Sequence, residues 1–154
     1  MTRISLIVPK GPFGKQRAMP VGRGNFIDMV TPLSTVRYED FIRELYIQKY
    51  GYAMSFKKDE PIEAIIHYWW PHTKVLRPIF YGTPVVKKPD IDNCEKLTYD
   101  GLNQLAWPDD AQIVSCRHIK RYCRTEIEVP RVEIILRTWK TEYENLYLEN
   151  PVFL

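Results

Sequence analysis

Asp90 and Asp92 stand two residues apart in the segment KKPDIDNCEK, Lys96 follows Asp92 by four residues, and the pair Asp109 and Asp110 comes further along. Magnesium is a hard cation that takes oxygen ligands, keeps several of its waters and is usually held by a few carboxylates together with a substrate phosphate. Asp90, Asp92 and Asp110 are candidate ligands of that kind, and Mn2+ is a candidate substitute for Mg2+. A bound metal generates hydroxide from water and offsets charge growing on phosphorane oxygens, while the Lys96 ammonium can stabilise the same charge or position the phosphate. Phosphodiester hydrolysis is the chemistry this set suits.

Each residue also has a plainer reading. Asp92 could be only a helix N-cap, worth about 1 kcal/mol, and Asp109 with Asp110 only turn residues. Their joint spacing argues for more. An EF-hand calcium loop does not fit, because the sixth position from Asp90 is Glu95 rather than Gly and the twelfth is Gly101 rather than Glu. A restriction-endonuclease arrangement fails on spacing, since Glu95 and Lys96 are adjacent and follow Asp90 too closely. No serine or cysteine nucleophile motif occurs. Cys94, Cys116 and Cys123 form no C-x-x-C pair and read as reduced, part-buried thiols. His67, His72 and His118 lack metal-ligand spacing and read as structural or surface side chains.

The elements that must position the carboxylates follow from periodicity. A helix is expected from Asp92 to about Leu105, with Asp92 as N-cap and Glu95 completing a capping box. Cys94, Leu97, Thr98, Gly101, Leu102 and Leu105 form its apolar stripe, which frees the opposite face for chemistry. At roughly 100° per residue, positions 92, 96, 99 and 103 share one face. Such a helix spans about 20 Å, so Asp110 reaches the other carboxylates only if strand 112–123 runs back beside the helix start or the loop folds over.

Upstream, Arg3 to Val8 alternates as a half-buried strand, and the Gly-, Pro- and Lys/Arg-rich stretch KGPFGKQRAMPVGRGNF reads as a mobile loop. A second helix, capped by Ser34 or Thr35, runs to about Tyr50 with Tyr38, Phe41, Ile42 and Leu45 on its buried face. Pro61 to Trp70 reads as a buried strand in which Trp69 and Trp70 are core residues, and 71–88 as a basic loop. Strands 112–123 and 131–139 are expected to pair as a hairpin around Thr125 to Pro130. This order predicts an α+β fold: a mixed or mostly antiparallel sheet of about four strands with two main helices packed on it, forming one domain over residues 1–154.

The chain has 154 residues, 45% of them hydrophobic, and a net charge of +3. That charge is unevenly spread. From Met1 to Phe26 the basic residues meet no carboxylate, and from Ala111 to Thr125 Arg117, Lys120, Arg121 and Arg124 are likewise unopposed. Segregation of this kind suits phosphate binding, in which each neutralised phosphate releases condensed counterions. Lys15, Arg17, Arg23, Lys88, Lys120 and Arg121 are the candidate DNA contacts. No apolar run long enough to span a membrane and no secretory signal is present, so a cytoplasmic protein is expected.

The run KKPDIDNCEKLTYDGLNQLAWPDDAQI, followed by Lys120, resembles the signature of the RusA family of Holliday-junction resolvases: D-x-D-N-x-x-K, a helix with a further Asp and Leu, and a Trp-containing turn ending in D-D. KQRA with its basic Gly-containing loop, Thr31 and the Tyr38-Glu39 helix are similar to the family's amino-terminal half. The resemblance implies a magnesium-dependent homodimer that binds four-way DNA junctions by shape and nicks two opposing strands symmetrically. It implies that Asp90, Asp92 and Asp110 bind the metal, that Lys96 is the catalytic lysine, and that Asp109 and Asp100 stand beside the metal ligands. A two-fold dimer would present one site to each of two symmetry-related strands. Cys94, Glu95 and Pro108 depart from the family pattern. Family members are often carried by phages or prophages. The alternatives are a metal nuclease acting on flaps or duplex, and a DNA-binding protein of this fold without catalysis.

Overall fold

The computed structural model describes residues 2–140, without the side chain of Arg23. The acid-rich tail beyond residue 140 lies outside the described residues. Strand β1 (Arg3–Val8) is followed by β2 (Met19–Arg23), β3 (Phe26–Val30), helix α1 (Leu33–Tyr50), β4 (Ile62–Trp70), helix α2 (Ile91–Leu102), β5 (Ile113–Tyr122) and β6 (Arg131–Thr138). A four-stranded mixed sheet has the order β1-β6-β4-β5, and β2 pairs with β3 in a separate ribbon. The fold is α+β.

The sheet order corrects the expected hairpin. β5 and β6 are not partners: β4 lies between them, parallel to β5 and antiparallel to β6. β4 is buried along nearly its whole length and so takes the centre. β6 alternates Val132, Ile134 and Leu136 inward and sits between β4 and β1. β5 exposes Val114, Cys116, Arg117 and Arg121, which suits an edge strand. The 123–130 connection is long enough to step past the end of β4, and it carries no two-residue hairpin turn.

The ribbon is a second correction. The 10–26 stretch, read as loop, contains β2, which pairs antiparallel with β3 from Met19↔Val30 to Arg23↔Phe26. Gly24, at φ 62°, supplies the positive φ of the tight turn. Pro20 and Gly22 argue against a central strand but not against a two-stranded ribbon whose outer edges face solvent.

α1 begins at Leu33 behind Pro32, and neither Ser34 nor Thr35 caps it. Both hydroxyls face the N-terminal loop: Ser34 donates to Gln16 Oε1 at 3.0 Å, and Thr35 Oγ1 accepts from Gln16 N at 3.3 Å. Thr35, Tyr38, Ile42 and Tyr46 form the buried stripe, and Gly51, at φ 78°, ends the helix. α2 starts one residue earlier than expected and ends at Leu102, with Asp90 at the N-cap position and no side-chain cap. The expected capping box is therefore absent. Its apolar stripe is as read with two corrections: Leu105 lies past the helix end, and Tyr99, expected on the free face with Asp92 and Lys96, is buried because that part of the helix turns toward Trp107 and His118. The helices touch each other, α1 reaching β1 and α2 reaching β5, so both cover one face of the sheet. At their crossing a Cβ on Gly101 would lie 3.1 Å from Ile42 Cβ. Among the described residues no helix is long and apolar enough to cross a membrane.

Candidate active site

β4, α2 and β5 form a crossover in which α2 runs opposite to its flanking parallel strands. β5 therefore runs back beside α2, as one of the two sequence alternatives required. What it carries to the helix start is Lys120 rather than Asp110. The Lys120 ammonium donates to the carbonyls of Lys87 at 2.7 Å and Pro89 at 2.6 Å and lies 5.3 Å from the centre of the Trp70 ring. This fastens the segment that leads into Asp90. Lys88 stands 3.9 Å from Asp90, with 90% and 57% of the two side chains exposed, so the pair holds nothing rigidly.

The N-terminal loop closes on the same place. Gly14 packs so tightly on Pro89 that a Cβ would sit 2.3 Å from the proline Cβ, and Lys15 N donates to Asn93 O at 2.9 Å. The loop and the α2 start border a cleft of about 400 Å³ that includes Asp90 and Asn93. A second cleft, of about 620 Å³, lies between segment 84–91 and β5 and also includes Asp90. Asp90 is thus shared by two concavities, while Asp92 and Lys96 are exposed on the helix.

The other acidic group gathers toward the C-terminal half of α2. Lys15 Nζ contacts Asp100 Oδ2 and lies 3.5 Å from Glu39 Oε1, a buried oxygen with no hydrogen bond. Burial alone would lower the Lys15 pKa, but Asp100 and Glu39 outweigh it and the net shift is upward. Glu39 is raised by burial and by repulsion from Asp100, against the pull of Lys15. Asp110 accepts from Trp107 Nε1 at 2.8 Å. Its pKa is raised by burial and by the like charges of Asp100 and Asp109, against that hydrogen bond. Exposed Asp109 accepts from Ala111 N at 2.8 Å, capping the short 3-10 turn Asp110–Gln112.

α2, at 12 residues, is about 18 Å long. Asp90 and Asp92 lie at one end of it, Asp110 beside Asp100 toward the other, and Lys96 is four residues from both Asp92 and Asp100. Among the described residues, Asp90, Asp92 and Asp110 do not bring ligand oxygens within 4.8 Å of one another. Of the candidate DNA contacts, Arg17, Lys88 and Arg121 are exposed, Lys15 and Lys120 are engaged as described, and the Arg23 side chain is outside the described residues.

Sequence reasoning missed one cluster beside this face. His118 Nδ1 lies 3.1 Å from Glu95 Oε2, and its Nε2 is 2.9 Å from the Tyr99 hydroxyl. Cys116 completes a trio of ligand atoms with Glu95 and His118, all within 4.8 Å. Burial lowers the His118 pKa despite the attraction of Glu95. The missed signal was Cys116-x-His118 on a strand, where alternate side chains share a face. Cys94 and Cys123 are buried as expected, whereas Cys116 is exposed.

Residues 9–137 match the family described as endodeoxyribonuclease RusA. The chain is also similar to an uncharacterized protein, YqaN, of Bacillus subtilis (strain 168): the two are 44% identical over 50 residues, a stretch that covers 32% of each chain. A match that short transfers no activity, whereas the family match begins just past β1 and takes in the basic loop, the β2–β3 ribbon, both helices, β4, β5 and β6 as far as Arg137. By that match the chain belongs to the RusA family of endodeoxyribonucleases.

Proposed function

We propose that this protein is a magnesium-dependent nuclease that resolves four-way DNA junctions by paired nicks, acting as a homodimer. The observation that carries the reading is the α2 face on which Asp92, Lys96 and Asp100 follow one another at intervals of four, with Asp90 before it and Asp110 beside it. The donor set fits a divalent cation: every candidate ligand is a carboxylate oxygen, as Mg2+ prefers, and positive charge relieves the like charges of Asp100 and Asp109 around Asp110. In this reading Asp90 and Asp92 at the start of α2, and Asp110 beside Asp100 toward its other end, are metal ligands in two separate groups, and a bound metal would supply the activated water and charge neutralisation. Mn2+ is expected to substitute. Asp100 and Asp109 tune the charge nearby, and Lys96, projecting from the same helix face, meets the phosphate and stabilises charge as the bond breaks. Arg17, Lys88 and Arg121 offset the carboxylates' repulsion of the DNA backbone along the approach.

The test is cleavage of a synthetic four-way junction by purified protein with and without Mg2+, beside a flap and a plain duplex of the same sequence. Nicked linear duplexes from the junction alone, and only with metal, are expected. Equal cutting of junction and duplex sinks the resolvase reading and leaves a general nuclease. Asp92→Asn should abolish cutting while junction binding persists, and unchanged turnover would remove Asp92 from the metal site.

A further inference from the structure

The Glu95, Cys116 and His118 trio takes no part in the phosphate chemistry described above. It joins two elements whose relative placement matters to that chemistry. Glu95 is the residue before Lys96 on α2, while Cys116 and His118 lie on the core-facing side of β5, opposite Ala64 and Ile66 of β4. The segment around Pro84 covers the later part of the β5 edge, pairing at Arg121, and leaves the Cys116 end open.

We infer that Glu95, Cys116 and His118 form a zinc-class metal site that clamps α2 to β5. Their three ligand atoms lie within 4.8 Å of one another. Zinc bond lengths of about 2.0–2.3 Å place tetrahedral ligands roughly 3.5 Å apart, so the side chains need close by only about 1 Å. The donors are one nitrogen, one sulfur and one oxygen, a set that favours Zn2+ and disfavours Mg2+. The outer arrangement fits as well. With Nδ1 on the metal, the Nε2 proton of His118 points at the Tyr99 hydroxyl 2.9 Å away, the kind of acceptor that fixes a ligating imidazole. His118 is 5% exposed at its side chain and Glu95 30%, and Cys116 is exposed, so the site is held by the fold and open to an entering ion.

Metal entry forms Zn–N, Zn–S and Zn–O bonds with no redox change. The Cys116 thiol proton goes to solvent. The His118 proton moves from Nδ1 to Nε2, so the imidazole stays neutral and one proton is released overall. Three protein ligands leave a fourth position for water. The clamp holds the α2 face that carries Asp92, Lys96 and Asp100 at a set distance from β5. The inference does not depend on the proposed DNA chemistry.

The probe is Co2+, then Zn2+, added to chelator-treated full-length protein. Wild type should bind one thiolate-ligated equivalent per chain even with excess Mg2+ present, show a thiolate-to-cobalt charge-transfer band and the visible bands of tetrahedral cobalt, and melt higher with Zn2+. Cys116→Ser, at an exposed position, should lose the charge-transfer band while the metal-free protein melts as wild type does. His118→Gln should weaken Zn2+ binding at least tenfold. Cys123→Ala and Asp92→Asn should both keep the band. Absence of the band in wild type, its survival in Cys116→Ser, or its loss in Asp92→Asn would overturn the site.

Discussion

Trp107→Phe tests the link between the core and the acidic face. Trp107 is fully buried, packs edge-on against Tyr99 at 6.1 Å, and uses its indole N–H on Asp110 Oδ1 at 2.8 Å. Phenylalanine keeps an aromatic ring but loses the donor and part of the volume. A hydrogen bond to a charged acceptor contributes about 1.5–3 kcal/mol, and the unfilled space adds about 1 kcal/mol. The sum, about 3 kcal/mol, is a large share of the roughly 5–15 kcal/mol of a typical domain. Asp110 already titrates above its ordinary value of 3.8, and losing the donor raises it further. A carboxyl raised in the folded state favours folding at low pH and costs stability as pH rises through its folded pKa. The deficit of Trp107→Phe should therefore be largest at pH 7 and shrink toward pH 3. Urea unfolding followed by circular dichroism, run as a double-mutant cycle with Asp110→Ala, isolates the pair. We expect a coupling above about 1 kcal/mol at pH 7. Coupling below about 0.5 kcal/mol, or a deficit independent of pH, would refute the view that Trp107 holds Asp110.

Gly14→Ala drives a Cβ into the Pro89 ring, which cannot swing aside, so the N-terminal loop should lift from the α2 start. A stability loss of about 1–3 kcal/mol in urea unfolding, with weaker junction cleavage, is expected. Arg17→Ala should reduce the slope of log K against log salt by about 0.9 in a DNA-binding titration. Lys15→Ala should change that slope less, because Lys15 already faces Asp100 and Glu39, and should lower the melting temperature instead. At Glu128, burial alone would raise the carboxyl, but the Arg124 backbone N–H and the guanidinium groups of Arg124 and Arg131 hold it down to about 2 from 4.5. Its stabilisation is present above its unfolded value and lost as pH falls toward about 2, so Glu128→Gln should flatten that part of the urea-midpoint profile.

The α2 stripe from Cys94 to Leu102, the α1 face through Tyr38 and Ile42, and the alternation of β1 were legible in the sequence because each rests on contacts a few residues apart. So were the D-x-D-N-x-x-K run and the expectation that α2 carries Asp92 and Lys96 on its free face. The absence of a capping box was not legible, because the helix begins behind Asp90 rather than Asp92 and Glu95 is drawn away to His118. Only the tertiary structure decided that β6 inserts between β1 and β4, and that β2 and β3 form a ribbon. Strand order depends on which apolar edges can be satisfied across the whole sheet, and no local pattern records that. The same reason separates the carboxylates. Asp90, Asp92 and Asp110 are close in a motif, but a rigid helix about 18 Å long sets where each one lies, and the strand returning beside it carries Cys116, His118 and Lys120 in their place.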